Sequence, residues 1–282
     1  MSENRNKINW YPGHMAKSRR ILEDQLKGVD AVIELCDARA PMASRNPVLR
    51  ELTKNKARLL ILNKVDLASE AETQKWAARF QAEGEIAIKF NSNSGRPKEM
   101  LAAINRLVKP VVDRAAARGI KKTVRAMVIG IPNAGKSSFI NRLNGQTIAV
   151  AADRPGVTRA VRWIKLGPYM ELLDTPGMLP PRLDDQQAAE TLAFIGSVRD
   201  GILDTEGLAE RLLKKLMEIA PEAAEARFRL SKGQEEDCLL EAACRGRGWL
   251  LSGGRLDTER GAALVLDEFR AGKVGRITLE KA

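Results

Sequence analysis

The chain has 282 residues, room for one large or two modest domains, and its 44% hydrophobic content is enough to build real cores. A formal charge of +11 points to a polyanionic partner, nucleic acid before others, although a merely basic enzyme has the same balance. Cys36, Cys238 and Cys244 lack metal-type spacing and fit structural thiols in a reducing compartment; no apolar run is long enough to cross a membrane, and the polar stretch from Met1 to Asn9 resembles no secretory or transit signal, so a cytoplasmic protein is expected.

In chain order, a basic helix opens at Met15 and continues through Leu22 to Gly28. Ala31 to Leu35 is an apolar run of strand type, running into Cys36-Asp37-Ala38-Arg39, and Arg58 to Leu62 is another. Helical periodicity covers Pro47 to Lys56 and Ser69 to Gln81, the latter with Trp76 and Phe80 on one face. A third strand is expected over Ile86 to Phe90, an amphipathic helix over Met100 to Arg118 and a basic linker over Arg118 to Lys122. Strands follow at Ala126 to Ile129, near Val161 to Leu166 and at Met170 to Leu173, with a helix from Ser137 to Leu143. This alternation predicts an α/β fold with a mostly parallel sheet, whose strand ends are where ligands bind. After Gly177 the pattern changes. Gln186 to Val198, Thr205 to Ile219, Pro221 to Phe228, Glu235 to Cys244 and Thr258 to Arg270 all read as helices. The expected division is an α/β domain over residues 1–184 and a small all-α domain over residues 185–282.

Gly130-Ile131-Pro132-Asn133-Ala134-Gly135-Lys136-Ser137, between a strand and a helix, fits the full phosphate-loop pattern. The loop from Pro132 to Ser138 is expected around the phosphate oxygens, its backbone N–H groups from Asn133 onward donating, with Lys136 at the β- and γ-phosphates and Ser137 on Mg²⁺. Asp174, ending a strand in Asp174-Thr175-Pro176-Gly177, suits a second Mg²⁺ contact, and Gly177 can offer its N–H to a γ-phosphate. Thr158 lies between these motifs, where a further Mg²⁺ ligand is needed; the alternative is a surface-turn threonine. Asn63-Lys64-Val65-Asp66 reads guanine, because one carboxylate accepts from both N1–H and the exocyclic amine. Lys64 would pack along base and sugar, while Asn63 steadies the loop. Asn91-Ser92-Asn93 would cover the guanine oxygen through backbone contacts. The base reader precedes the phosphate loop, the reverse of the ordinary order, so the chain reads as a circularly permuted P-loop GTPase.

These motifs and their order resemble the circularly permuted GTPases of the ribosome biogenesis GTPase A family, the resemblance spanning nearly the whole chain. It includes Trp10-Tyr11-Pro12-Gly13-His14-Met15-Ala16-Lys17, Asp37-Ala38-Arg39-Ala40-Pro41, Ser252-Gly253-Gly254 and Phe269 to Arg276. The resemblance implies GTP hydrolysis, with GTP and GDP as substrate and product, coupled to late maturation of the large ribosomal subunit. It further implies that the C-terminal helical domain contacts rRNA. Met178 stands where Ras-like GTPases carry a water-orienting glutamine and cannot hydrogen-bond water usefully. The family's N-terminal histidine maps to His14, the one histidine here, as the catalytic group; an rRNA contact or simple packing is the alternative. Asn133 matches the asparagine of K⁺-activated GTPases, or else only shapes the loop. Three basic clusters, Lys17-Arg19-Arg20, Arg114-Arg118-Lys121-Lys122 and Arg270-Lys273-Arg276, are either phosphate-binding surfaces or solvated faces. Few aromatics argue against a base-stacking platform and for recognition of RNA shape. The expected partner is thus the large-subunit precursor and its rRNA, with no membrane, no DNA and a monomeric protein; the alternative is a GTPase switch acting on a protein or membrane partner.

Overall fold

A computed structural model describes residues 20–145, 162–166, 168–179, 186–198, 204–230 and 238–282. Helix α1 covers residues 20–26. Strand β1 (Ala31–Asp37), helix α2 (Pro47–Leu52), β2 (Ala57–Asn63), α3 (Glu70–Ala82), β3 (Ala87–Lys89) and α4 (Pro97–Ala116) follow. Then come β4 (Val124–Gly130), α5 (Lys136–Asn144), β5 (Arg162–Lys165) and β6 (Met170–Asp174). The strands form one sheet in the order β3-β2-β1-β4-β6-β5, parallel except for the edge pair β5–β6. This is the expected mostly parallel α/β sheet.

All seven residues of β1 are buried, as a central strand covered on both faces requires. Ala31, Ile33 and Leu35 join a core with Met100 and Ile104 of α4 and Phe139 and Ile140 of α5. Their neighbour Val32 turns to the opposite face, against Leu22, Leu26 and Leu49, and Cys36 packs there with Trp76 and Phe80 of α3. Burying side chains of this size contributes about 1.5–3 kcal/mol each. Glu34, at the centre of β1, is kept buried by Arg45 and Arg58. Cys36 and Cys244 are buried free thiols, the latter pushed by burial to about 11.

The sheet's order sets the site. From β1 the chain first builds outward through β2 and β3, and later through β4, β6 and β5 on the other side. A crevice therefore opens between the carboxyl ends of β1 and β4. Asp37 and Asn63 are register partners there, as are Leu35 and Gly130, while Asp174 ends β6 opposite Val128.

The helices α6 (Gln186–Phe194), α7 (Thr205–Ile219), α8 (Pro221–Phe228), α9 (Leu239–Arg247) and α10 (Thr258–Arg270) follow. Leu208, Leu212 and Leu216 of α7 and Val265, Leu266 and Phe269 of α10 are buried in one hydrophobic cluster that also contains the α4–α5 side of the sheet. Helix α6 stops at Phe194, short of the expected Val198. Gly196 turns with φ +75°, and Arg270 donates to the end carbonyls of Ala193 and Phe194 at 2.8 and 3.1 Å. Helix α2 likewise stops at Leu52, where the Thr53 hydroxyl donates back to the Leu49 carbonyl at 2.7 Å. After α10 the chain returns to the sheet: Val274, Ile277 and Leu279 are buried, and Leu279 N–H donates to Arg39 O at 2.7 Å.

Candidate nucleotide site

The phosphate loop joins β4 to α5. Gly130 has φ +149°, and a Cβ there would strike the carbonyl of Leu35 on the neighbouring strand. Gly135 has φ +91°, and a Cβ there would strike the Asn63 amide. Asn63 is buried and uses both ends of that amide. Its Nδ2 donates to Ala134 O at 2.8 Å, while its Oδ1 accepts from Ser92 N and Ser92 Oγ at 3.1 and 2.9 Å. Asn63 thus ties the phosphate loop, its own 63–66 loop and the 91–93 loop together.

Lys64 sits in left-handed conformation, φ 60°, with its ammonium 3.0 Å from Asp37 Oδ2. Val65 is half-buried and Asp66 exposed. Asn91 Oδ1 accepts from Asn93 N at 2.7 Å and Ser94 N at 3.2 Å, an Asx turn that spends the Asn91 side chain on shaping its loop.

Lys136 is buried beneath the loop, donating to Ile131 O at 2.8 Å and Gly130 O at 3.2 Å. Burial pulls its ammonium down to about 8, opposed by the nearby Asp174 carboxylate. Ser137 Oγ donates to Asp174 Oδ2 at 3.1 Å. Burial raises the Asp174 carboxyl, against the lowering effect of that hydrogen bond and of Lys136. The other oxygen, Asp174 Oδ1, is buried without a hydrogen-bond partner. A buried hard anion beside a hydroxyl, with an open acceptor oxygen, suits a divalent cation bound through oxygen, so these residues fit Mg²⁺. Ser138, one residue further along α5, is half-buried.

The segment after Asp174 lies against the phosphate loop. A Cβ on Gly177 would come within 2.5 Å of Pro132, so only glycine lets the two backbones approach this closely. Met178 N–H donates to Gly130 O at 3.2 Å, its carbonyl accepts from Asn46 Nδ2 at 3.0 Å, and its half-buried side chain packs on the Leu22–Leu26–Leu49 cluster. The loop also reaches the helical region: Asn133, with φ 58°, donates from Nδ2 to Gly196 O at 2.7 Å, and Ser197 Oγ donates to Pro132 O at 3.0 Å. His14 and Thr158 lie outside the described residues, as do Lys17 and Arg19.

Two site residues have roles that their motif alone does not reveal. Asp37 and Arg39 form a buried fork, with Arg39 Nε 2.9 Å from Asp37 Oδ1 and Nη2 2.8 Å from Oδ2. Burial would raise the Asp37 carboxyl, but Arg39 and then Lys64 outweigh it and hold it well below the usual carboxylate range. The signal available in sequence is an Asp-x-Arg at the end of the strand beside the base-reading strand. Of the tail cluster, Arg270 caps α6, and Arg276 donates to Ala68 O and Val65 O at 3.1 and 3.2 Å. These two arginines are engaged within the chain rather than forming a purely solvated face.

Comparison with known proteins agrees with this geometry. The 50S ribosome-binding GTPase family matches residues 125–227, which hold the phosphate loop and Asp174 but not the upstream Asn63 motif. That split is what a circular permutation leaves. Ribosome biogenesis GTPase A of Bacillus cereus is 44% identical over 276 residues, covering 97% of this chain and 93% of the relative. The protein of the same name from Thermotoga maritima is 33% identical over 276 residues, covering 97% and 94%. The crystal structure of GNP-bound YlqF from T. maritima aligns with a TM-score of 0.66 at 28% identity, over 94% of this chain and 98% of that one. The Asn63 motif at the end of β2, the phosphate loop after β4 and the Asp174 carboxylate ending β6 converge on one crevice in permuted order, and the chain belongs to the ribosome biogenesis GTPase A family of GTP-hydrolysing proteins.

Proposed function

We propose that this GTPase is a nucleotide-controlled switch in ribosome assembly, acting late on the precursor of the large subunit and binding its rRNA. The single observation that carries the switch is the direct tie between phosphate loop and helical region, Asn133 to Gly196 and Ser197 to Pro132. A change at the γ-phosphate alters the loop that these bonds hold, and the segment after Gly177 leads into the same helices. The ribosomal target rests on the relatives' name and on the charge of +11. Arg114, Arg118 and Lys121 are exposed around the end of α4, a surface suited to phosphate backbones. Helical residues 185–282 are the proposed rRNA-facing unit, and residues 1–184 the GTPase unit. Among the described residues no helix is long and apolar enough to cross a membrane. A monomer working in the cytoplasm fits the reading.

In the site, Asp66 accepts from guanine N1–H and amine, and Lys64 lies along the base. The N–H groups of Asn133 to Ser138 surround the β-phosphate, and Lys136 exchanges its two carbonyl acceptors for phosphate oxygens. Ser137 and Asp174, with Thr158, would hold Mg²⁺, which when bound disperses the charge of the β- and γ-phosphates. Asn133 is the proposed K⁺ ligand, as its match to the asparagine of K⁺-activated GTPases suggests, while its Nδ2 stays on Gly196 O. His14 is the proposed water-orienting group.

Two experiments test this. Asp66→Asn should weaken GTP binding and improve binding of xanthosine triphosphate; unchanged GTP affinity removes the base-reader assignment. Sedimentation with large-subunit precursor particles should be stronger with a GTP analogue than with GDP and should fall steeply with salt. Salt-insensitive association would favour a protein partner instead.

A further inference from the structure

The last residues of the chain grip the base-reading loop. Arg276 donates to Val65 O and Ala68 O at 3.2 and 3.1 Å, on either side of Asp66. Ile277 N–H donates to Leu67 O at 3.1 Å, so three carbonyls of this one loop are taken by two consecutive tail residues. Thr278 Oγ1 accepts from Ser69 N at 3.1 Å and lies 3.3 Å from Ala38 O. Gly272, with φ +72°, brings the backbone so close to Leu67 that a Cβ would lie 2.6 Å from Leu67 Cδ2.

The tail also reaches Lys64 by a second route. Arg39 Nη1 donates to Arg270 O at 3.1 Å, and Arg39 O accepts from Leu279 N at 2.7 Å. Arg39 forks onto Asp37, and Asp37 holds the Lys64 ammonium. Both side chains proposed to meet the base are therefore set by the segment that leaves α10. A loop held through its carbonyls at one edge keeps its opposite edge in register, and a displaced carboxylate loses the paired geometry on which guanine reading depends.

We infer that residues 270–280 are a positioning element of the guanine site, Arg276 foremost, and that retention and choice of base depend on how this tail is seated. The inference rests on Asp66 as base reader. Because the tail continues α10, a partner that pulls on the helical region would act on base retention through it.

The test compares release of fluorescent GDP and fluorescent IDP, which lacks the amine that Asp66 reads, from wild type, Arg276→Ala and Arg276→Lys. Arg276→Ala should speed GDP release about five- to fiftyfold, the size expected from losing two hydrogen bonds to the loop. IDP release should change much less, so that discrimination between the two bases shrinks. Arg276→Lys, keeping one donor to the loop, should restore part of the difference. GDP release within twofold of wild type, or equal acceleration of GDP and IDP, overturns the inference, the latter because it marks mere support of the fold. Asp66→Asn is run in parallel. If it fails to shift preference toward xanthine, the base reader falls and takes this inference with it; if it shifts preference while Arg276→Ala changes nothing, the tail inference alone falls.

Discussion

Asn63 Nδ2 donates to the carbonyl of Ala134 at 2.8 Å, joining the end of β2 to the phosphate loop across a sequence separation of 71 residues. Permutation puts these residues in reversed order along the chain, yet one side chain still closes the site. The Asn63 Oδ1 bonds to Ser92 extend the tie to the third loop. Asn63→Ala should leave Ala134 O and Ser92 Oγ without this partner inside a buried region. A loss of about 1–3 kcal/mol in GDP binding is expected, roughly five- to a hundredfold in affinity, felt by base and phosphate contacts together. Titration with GDP and with pyrophosphate alone checks this: a loss confined to GDP would place Asn63 in base reading rather than between the loops.

The Asp37–Arg39 fork is fully buried, with side chains 1% and 2% exposed. Removing the guanidinium leaves a buried carboxylate with Lys64 as its remaining cation. Arg39→Met should therefore cost about 3–5 kcal/mol in unfolding free energy, the usual size for an orphaned buried charge. Because Arg39 and Lys64 lower the Asp37 carboxyl in the folded state, its contribution is fully present above the ordinary carboxylate value of about 4 and is lost as pH falls below it toward the depressed folded value. Denaturant unfolding between pH 3 and 7 should show a steeper acid-side decline for wild type than for Asp37→Asn. Parallel declines in the two proteins would assign the acid sensitivity to other carboxylates.

Much of this architecture is legible in the sequence. Helices α7, α8 and α10 begin and end at the expected residues because capping or proline signals coincide with the apolar period: Asp204 and Asp257 cap their helices, and Pro221 opens α8. The strand ends carrying Asn63, Gly130 and Asp174 are equally legible, since each apolar run stops at its motif. The tail is not. Arg276 meets Val65 at a separation of 211 residues, and no local pattern announces that backbone carbonyls are waiting there. Arg270 and Arg276 therefore resemble a surface cluster in sequence, and the early end of α6 depends on the distant Arg270. The Asp37–Lys64 contact is hidden for the same reason, since it needs the β1–β2 register to be known.

Potassium should accelerate hydrolysis more than sodium. Asn133 is left-handed and donates from Nδ2 to Gly196 O, and its place in the phosphate loop matches the asparagine of K⁺-activated GTPases. A monovalent cation there would neutralise charge developing between the β- and γ-phosphates. Turnover on large-subunit particles, in KCl against NaCl at matched ionic strength, checks this. Equal rates end the cation role and leave Asn133 as a residue that shapes the loop and fastens it to the turn after α6.

The last prediction concerns how water is oriented for attack. Met178 follows the sensor, but its backbone is pinned between Gly130 and Asn46 and its side chain packs into an apolar cluster. It has no group that can hold a nucleophilic water, so a group from elsewhere must serve. His14, the one histidine of the chain, is the candidate that the family resemblance supplies. It precedes Lys17, Arg19 and Arg20, which suit seating that segment on rRNA, so docking would coincide with completing the site. His14→Ala should then leave GTP affinity nearly unchanged and lower particle-stimulated turnover by about ten- to a thousandfold, the range for loss of a positioned general base or water-orienting group. Single-turnover hydrolysis on saturating particles separates the cases. A matching loss of particle binding would make His14 an rRNA contact, whereas undiminished turnover would require the water to be held by another group.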